Sequence, residues 1–140
     1  MDIGFQLYSA RNFPLAEVIT TIAELGYKNA EGYGSLYTDP KALKAQLDAA
    51  GLKMPTAHIS LGDLEKPDAT MKTIETLDIK VVVCPWLAPE ERPTTADGWK
   101  AFGDRLQKIA KPYKAAGLDF GYRDVAQRLD KLGSVKDKGS

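Results

Sequence analysis

The chain has 140 residues, 44% hydrophobic and 27% charged, with 19 Lys+Arg against 19 Asp+Glu. That length suits one domain with its own core, and the apolar content excludes an intrinsically disordered chain. Zero net charge argues against a nucleic-acid or anionic-membrane binder, and no apolar run reaches the roughly 18 residues of a membrane span.

The N-terminal MDIGFQLYSARN enters a strand-like pattern at once, without the basic region and apolar stretch of a signal peptide. The single cysteine, Cys84, cannot close an internal disulfide. Both features fit a reducing, cytoplasmic setting.

Strand-like and helix-like segments alternate along the chain. Residues 2–8 read as a strand, with Ile3, Phe5 and Leu7 on one face and Gln6 and Tyr8 on the other. Residues 15–25 read as a helix with Leu15, Val18, Ile19, Ile22 and Leu25 inward, ended by Gly26. A short strand follows over 29–33. Asp39-Pro40 then supplies an N-cap and a first-turn proline for a helix that turns Leu43 and Leu47 inward and ends at Gly51.

A third strand covers 53–59, and Pro67-Asp68 opens a helix carrying Met71, Ile74 and Leu77. Residues 79–85, IKVVVCP, form a strand whose consecutive valines suit burial on both faces. The longest helix spans 95–116, with Trp99, Phe102, Leu106, Ile109 and Tyr113 as its stripe; Pro112 should kink or split it. A fifth strand covers 118–122 and a fifth helix 125–132.

The segments ELGYK, AAGLK, AAGLD and KLGSV repeat a helix–glycine–strand junction. This makes four or five βα units, hence a parallel sheet with right-handed crossovers. Two architectures satisfy it: a (β/α) barrel or part of one, and an open five-stranded sheet of the flavodoxin type.

In both, ligands bind beyond the C-terminal strand ends. Those ends deliver Tyr8 and Ser9; Glu31 and Tyr33; His58 and Ser60; Cys84, Pro85 and Trp86; and Tyr122, Arg123 and Asp124. Polar and aromatic residues at one rim suit a small polar ligand, with aromatic faces on carbon and side chains on hydroxyls. His58, the only histidine, is in phase with Thr56 and Met54. It is either an acid/base residue or a structural histidine satisfied by a backbone group. Glu31 either binds a hydroxyl or pairs with His58, or else is an exposed edge glutamate. Cys84 reads as buried and inert, Trp86 as rim packing more than a sugar platform, and Trp99 as core. No dinucleotide, P-loop, zinc-protease or nucleophile-elbow motif occurs. One histidine and one inward carboxylate do not make a visible metal site.

The segments IGFQLYSARN, AELGYKNAEGYG, LKMPTAHISLG and the run from IKVVVCPWLAPEERP to AAGLDFGY resemble the sugar phosphate isomerase/epimerase family, with its xylose-isomerase-like TIM barrel. The resemblance covers roughly residues 3–122. It implies an eight-stranded barrel enzyme that moves a proton next to a carbonyl on a sugar or polyol. It also implies a divalent metal (Mn2+, Mg2+ or Zn2+) held by Glu, Asp and His from later strands. Glu31 and His58 fall where the family places substrate-side residues, and Tyr8, Trp86 and Tyr122 would line the pocket.

The sequence departs from the family at Tyr122. There the family continues as Tyr-His-Asn-His, whereas Arg123, Asp124 and Val125 follow here. The tail SVKDKG resembles a late-strand His-Val-Lys-Asp segment, with Ser134 in place of the histidine, as an internal deletion would leave it. The reading is one partial barrel domain over 1–140, with 123–140 a divergent tail.

A closed barrel takes about 250 residues, so five units should form a curved, open half-barrel with free sheet edges. Loss of the later strands should impair catalysis. The alternatives are a non-catalytic polyol-binding module and a half-barrel that pairs with a second copy through its edges.

Overall fold

The computed structural model describes residues 3–85, 87 and 89–122. Trp86, the 125–132 helix and the tail resemblance lie outside them.

Five strands run β1 (Gly4–Gln6), β2 (Asn29–Gly32), β3 (Lys53–His58), β4 (Val81–Cys84) and β5 (Asp119–Tyr122). All pair in parallel, in the sheet order β1-β2-β3-β4-β5. This sequential order decides between the two architectures. A flavodoxin-type sheet places its first strand in the interior, whereas a TIM barrel adds each strand beside the last. The fold is therefore a partial TIM barrel of parallel βα units.

The connecting helices are α1 (Leu15–Glu24), α2 (Pro40–Ala49), α3 (Leu61–Leu64), α4 (Pro67–Leu77) and α5 (Ala96–Ala115). Their ends follow local chemistry. Asp39 caps α2 by accepting from the Ala42 N–H at 3.1 Å, with Pro40 in the first turn. Thr95 caps α5 by accepting from the Gly98 N–H at 3.0 Å. Ser60 caps α3 through the Asp63 N–H, and its hydroxyl donates to the Asp63 carboxylate at 2.9 Å. This Ser-x-x-Asp spacing is a capping-box signal that the periodicity reading passed over.

Several expectations need correction. The first strand is shorter than 2–8, because a 3-10 turn takes over at Leu7–Ala10. The Gln6 side chain accepts from the Tyr8 N–H, a local bond that competes with extended backbone. Leu25 is 71% exposed rather than inward, because α1 ends one residue before it and Gly26 (φ +94°) turns the chain away. Pro112 does not split α5. Only one turn follows it, the helix runs on to Ala115, and the Ala116 N–H still reaches the Pro112 carbonyl at 3.1 Å. Trp99 is half-buried, edge-on to Phe102, rather than core.

The sheet has two unlike faces. Ala30, Ala57, Val82 and Cys84 point to the helices and are buried, joining Ile19, Ile22, Leu47, Ile74 and Tyr113 in one core. Gln6, Glu31, Thr56, His58, Val81 and Val83 lie on the other face, half-buried. β4 is thus buried on one face and half-covered on the other, not buried on both. In a closed barrel the opposite wall would cover that inner face. Among the described residues, β1 and β5 are the sheet edges. No described helix is long and apolar enough to cross a membrane.

Candidate functional site

Parallel pairing places Glu31 beside Thr56 and His58 beside Val83. Side chains alternate along a strand, so Glu31 and His58 share the inner face at the C-terminal ends of β2 and β3. There His58 Nε2 lies 3.0 Å from Glu31 Oε1, with side-chain exposures of 19% and 21%. Nε2 is shielded from solvent and makes no aligned hydrogen bond, so the contact is one of proximity.

Two further side chains hold this pair. The Gln6 amide donates to Glu31 Oε1 across the β1–β2 register, in which the two residues are partners. The Tyr37 hydroxyl, from the 3-10 turn Gly34–Thr38, donates to the His58 carbonyl at 3.0 Å. Burial, and then the Glu31 charge, push the Tyr37 hydroxyl far above the ordinary tyrosine range, so it remains a donor. Gly32 makes room for it: a Cβ there would stand 2.7 Å from the Tyr37 hydroxyl and 2.6 Å from Met54 Sδ.

Tyr8 is 51% exposed at the end of β1, edge-on to Tyr33 with ring centroids 5.3 Å apart. The Arg11 guanidinium stands 4.3 Å above its ring and donates to its carbonyl at 3.1 Å. Tyr8 therefore belongs to the rim on the β1 side. Tyr122 is placed differently. It pairs with Cys84, whose side chain faces the helices, and its ring lies edge-on to Phe102 of α5 at 5.5 Å. The fold does not bring it to Glu31 and His58. Trp86 lies outside the described residues.

Cys84 is fully buried, and loss of solvent pushes its thiol up to about 11 against a smaller opposing effect of Arg105. Such a thiol is a packing group rather than a nucleophile. A groove of about 420 Å³ opens between α3 and α5, lined in part by Ser60, Glu65, Leu87, Phe102 and Arg105; neither Glu31 nor His58 lines it.

Sequence reading found the Glu31–His58 pair but missed its supports. Gln6 was placed on the inner face by alternation, and that was the available signal. Tyr37 gave none, because its partner lies 21 residues away and its own segment has no periodicity.

The family resemblance implies a divalent metal, for which these residues offer few ligands. Among the described residues no group of three or more His, Cys, Asp or Glu side chains gathers. Glu31 and His58 supply two donors where a protein metal site uses three or four, so these residues do not fit the metal by themselves.

No protein-family model matches the sequence, and no curated protein matches it. Solved structures do match in fold. A family 2 AP endonuclease from Brucella melitensis superimposes with a TM-score of 0.70 at 14% identity, over 99% of this chain and 65% of that one. A xylose isomerase-like TIM barrel/4-hydroxyphenylpyruvate dioxygenase fusion protein gives 0.67 at 15% identity, over 87% of this chain and 21% of that one. An uncharacterized protein from Parabacteroides distasonis gives 0.61 at 15% identity, over 95% of this chain and 57% of that one. The chain thus spans less than two thirds of the length of each. In fold, the chain is a partial TIM barrel, as in these structures.

Proposed function

We propose that Glu31 and His58 form a proton-transfer pair acting on a sugar or polyol, in aldose–ketose isomerisation or epimerisation. The observation that carries this reading is the 3.0 Å approach of His58 Nε2 to Glu31 Oε1 at the strand ends of a TIM-type sheet. Glu31 takes a proton from the carbon next to a carbonyl. The released electron pair moves onto the carbonyl oxygen, which the His58 N–H meets as charge develops there. Return of the proton to the former carbonyl carbon, with His58 carrying the neighbouring hydroxyl's proton to the first oxygen, gives the isomer; delivery of a solvent proton to the opposite face of the original carbon, with Glu31 then releasing its proton to solvent, gives the epimer. No step is routed through a metal, and two protein groups alone make a weak catalyst. Tyr8 is an exposed aromatic face for the substrate's carbon skeleton; Trp86 stays a candidate for the same role, whereas Tyr122 faces α5 and is not one.

The second reading is a polyol-binding module without turnover, pairing through its open edges with another copy. Among the described residues β1 and β5 are the edges of the sheet, which favours it. Incubation with simple ketoses in D2O separates the two. The first predicts slow deuterium entry next to the carbonyl, lowered at least ~100-fold in His58→Ala and Glu31→Gln. Polyol binding without deuterium entry, with a dimer by light scattering, would instead establish the module.

A further inference from the structure

We infer that Gln6 is a positioning residue for Glu31, the last link of a relay that begins at the Tyr8 backbone. The inference rests on the proton-transfer reading of Glu31 and His58. An amide can face either way, and its neighbours decide which. Here the Tyr8 N–H donates to Gln6 Oε1 at 3.2 Å, which turns the Gln6 NH2 toward β2. That NH2 donates to Glu31 Oε1, the oxygen that also faces His58 Nε2. One carboxylate oxygen is therefore held between a neutral donor from β1 and a ring nitrogen from β3.

The local fold makes this possible. β1 stops at Gln6, and the 3-10 turn that follows swings the Tyr8 N–H back over the Gln6 side chain. Gln6 and Glu31 are register partners, so the amide needs no detour to reach the carboxylate. A glutamate's terminal torsion is broad, and fixing a free side chain costs entropy. Gln6 meets that cost during folding, before substrate arrives, which is what preorganisation requires. A neutral N–H given to a carboxylate also favours its charged, basic form. Among the described residues, the titratable groups facing Glu31 include His58 from β3 and Tyr37 from the turn after β2.

The test uses Gln6→Met, of similar length but without a donor, and Gln6→Asn, polar but one methylene short. The Glu31 carboxyl is followed by 13C NMR against pH, its signal identified by its loss in Glu31→Gln. Proton exchange on a ketose is followed over the same pH range. Loss of the donor should raise the Glu31 midpoint by about one pH unit in both variants. The acid limb of exchange should move up with it, and kcat should fall roughly tenfold with KM little changed. An unchanged midpoint in both folded variants overturns the relay, whatever happens to thermal stability. Because the NMR titration needs no turnover, a wild-type protein without exchange would sink the proton-transfer reading separately.

Discussion

The Tyr37 hydroxyl donates a 3.0 Å hydrogen bond to the backbone carbonyl of His58, the last residue of β3. A parallel strand that ends at a site leaves its final carbonyl without a ladder partner on one side. Tyr37 fills that place from a turn that belongs to the preceding unit. The bond fixes the backbone from which His58 projects. It also explains why Gly32 is a glycine, since the hydroxyl passes within 2.7 Å of where a Cβ would stand.

Gly32→Ala should therefore displace both Tyr37 and Met54, costing ~1–3 kcal/mol as an overpacked site does. Tyr37→Phe leaves the His58 carbonyl without its donor and should cost ~1–2 kcal/mol. Urea unfolding of the two variants reads both. A Gly32→Ala protein as stable as wild type would show that Met54 yields freely and that the close approach is not a constraint.

Tyr113 makes an analogous bond deeper in the core. It is fully buried on α5, and its hydroxyl donates to the Leu64 carbonyl at 2.7 Å while its ring stacks on Phe120. The bond ties the last helix to the short α3 after β3, 49 residues earlier. Tyr113→Phe keeps the ring and should lose ~1–2 kcal/mol. Tyr113→Ala adds a cavity and should lose ~3–5 kcal/mol. Chemical denaturation midpoints distinguish them; equal losses would show that the hydroxyl, not the ring, carries the contribution.

Cys84 gives a signed pH dependence. Its thiol moves from 9.0 to about 11 on burial. Between those values the unfolded chain has released the proton and the folded chain has kept it. This contribution to stability is therefore full below pH 9 and is lost as pH rises toward 11. Cys84→Ala should lack it, so the stability difference between variant and wild type should narrow over that interval. Iodoacetamide should label the native thiol slowly at pH 8, and rapid labelling of folded protein would contradict the buried placement.

Much of the fold was legible because its signals are local. Capping at Asp39, the turns at Gly26 and Gly51, and the stripes of α1 and α5 all act within a few residues. The misreadings arose where neighbours outvoted the pattern. Alternation continued the first strand through Leu7 and Tyr8, but a side-chain bond from Gln6 bent the chain into a 3-10 turn. Periodicity placed Leu25 inward, but the helix ended before it.

For the candidate site, the sequence by itself determined that Glu31 and His58 end consecutive strands, because strand phase and βα order are written into hydrophobic spacing. Only the tertiary structure decided that they meet at 3.0 Å, that Gln6 and Tyr37 hold them, and that Tyr122 turns toward α5. It also decided for a barrel arc over a flavodoxin-type sheet. The same alternation of strands and helices serves both, and the choice rests on which strand lies beside β1. That is a long-range pairing, set by crossover geometry and packing between distant segments, and no local propensity encodes it.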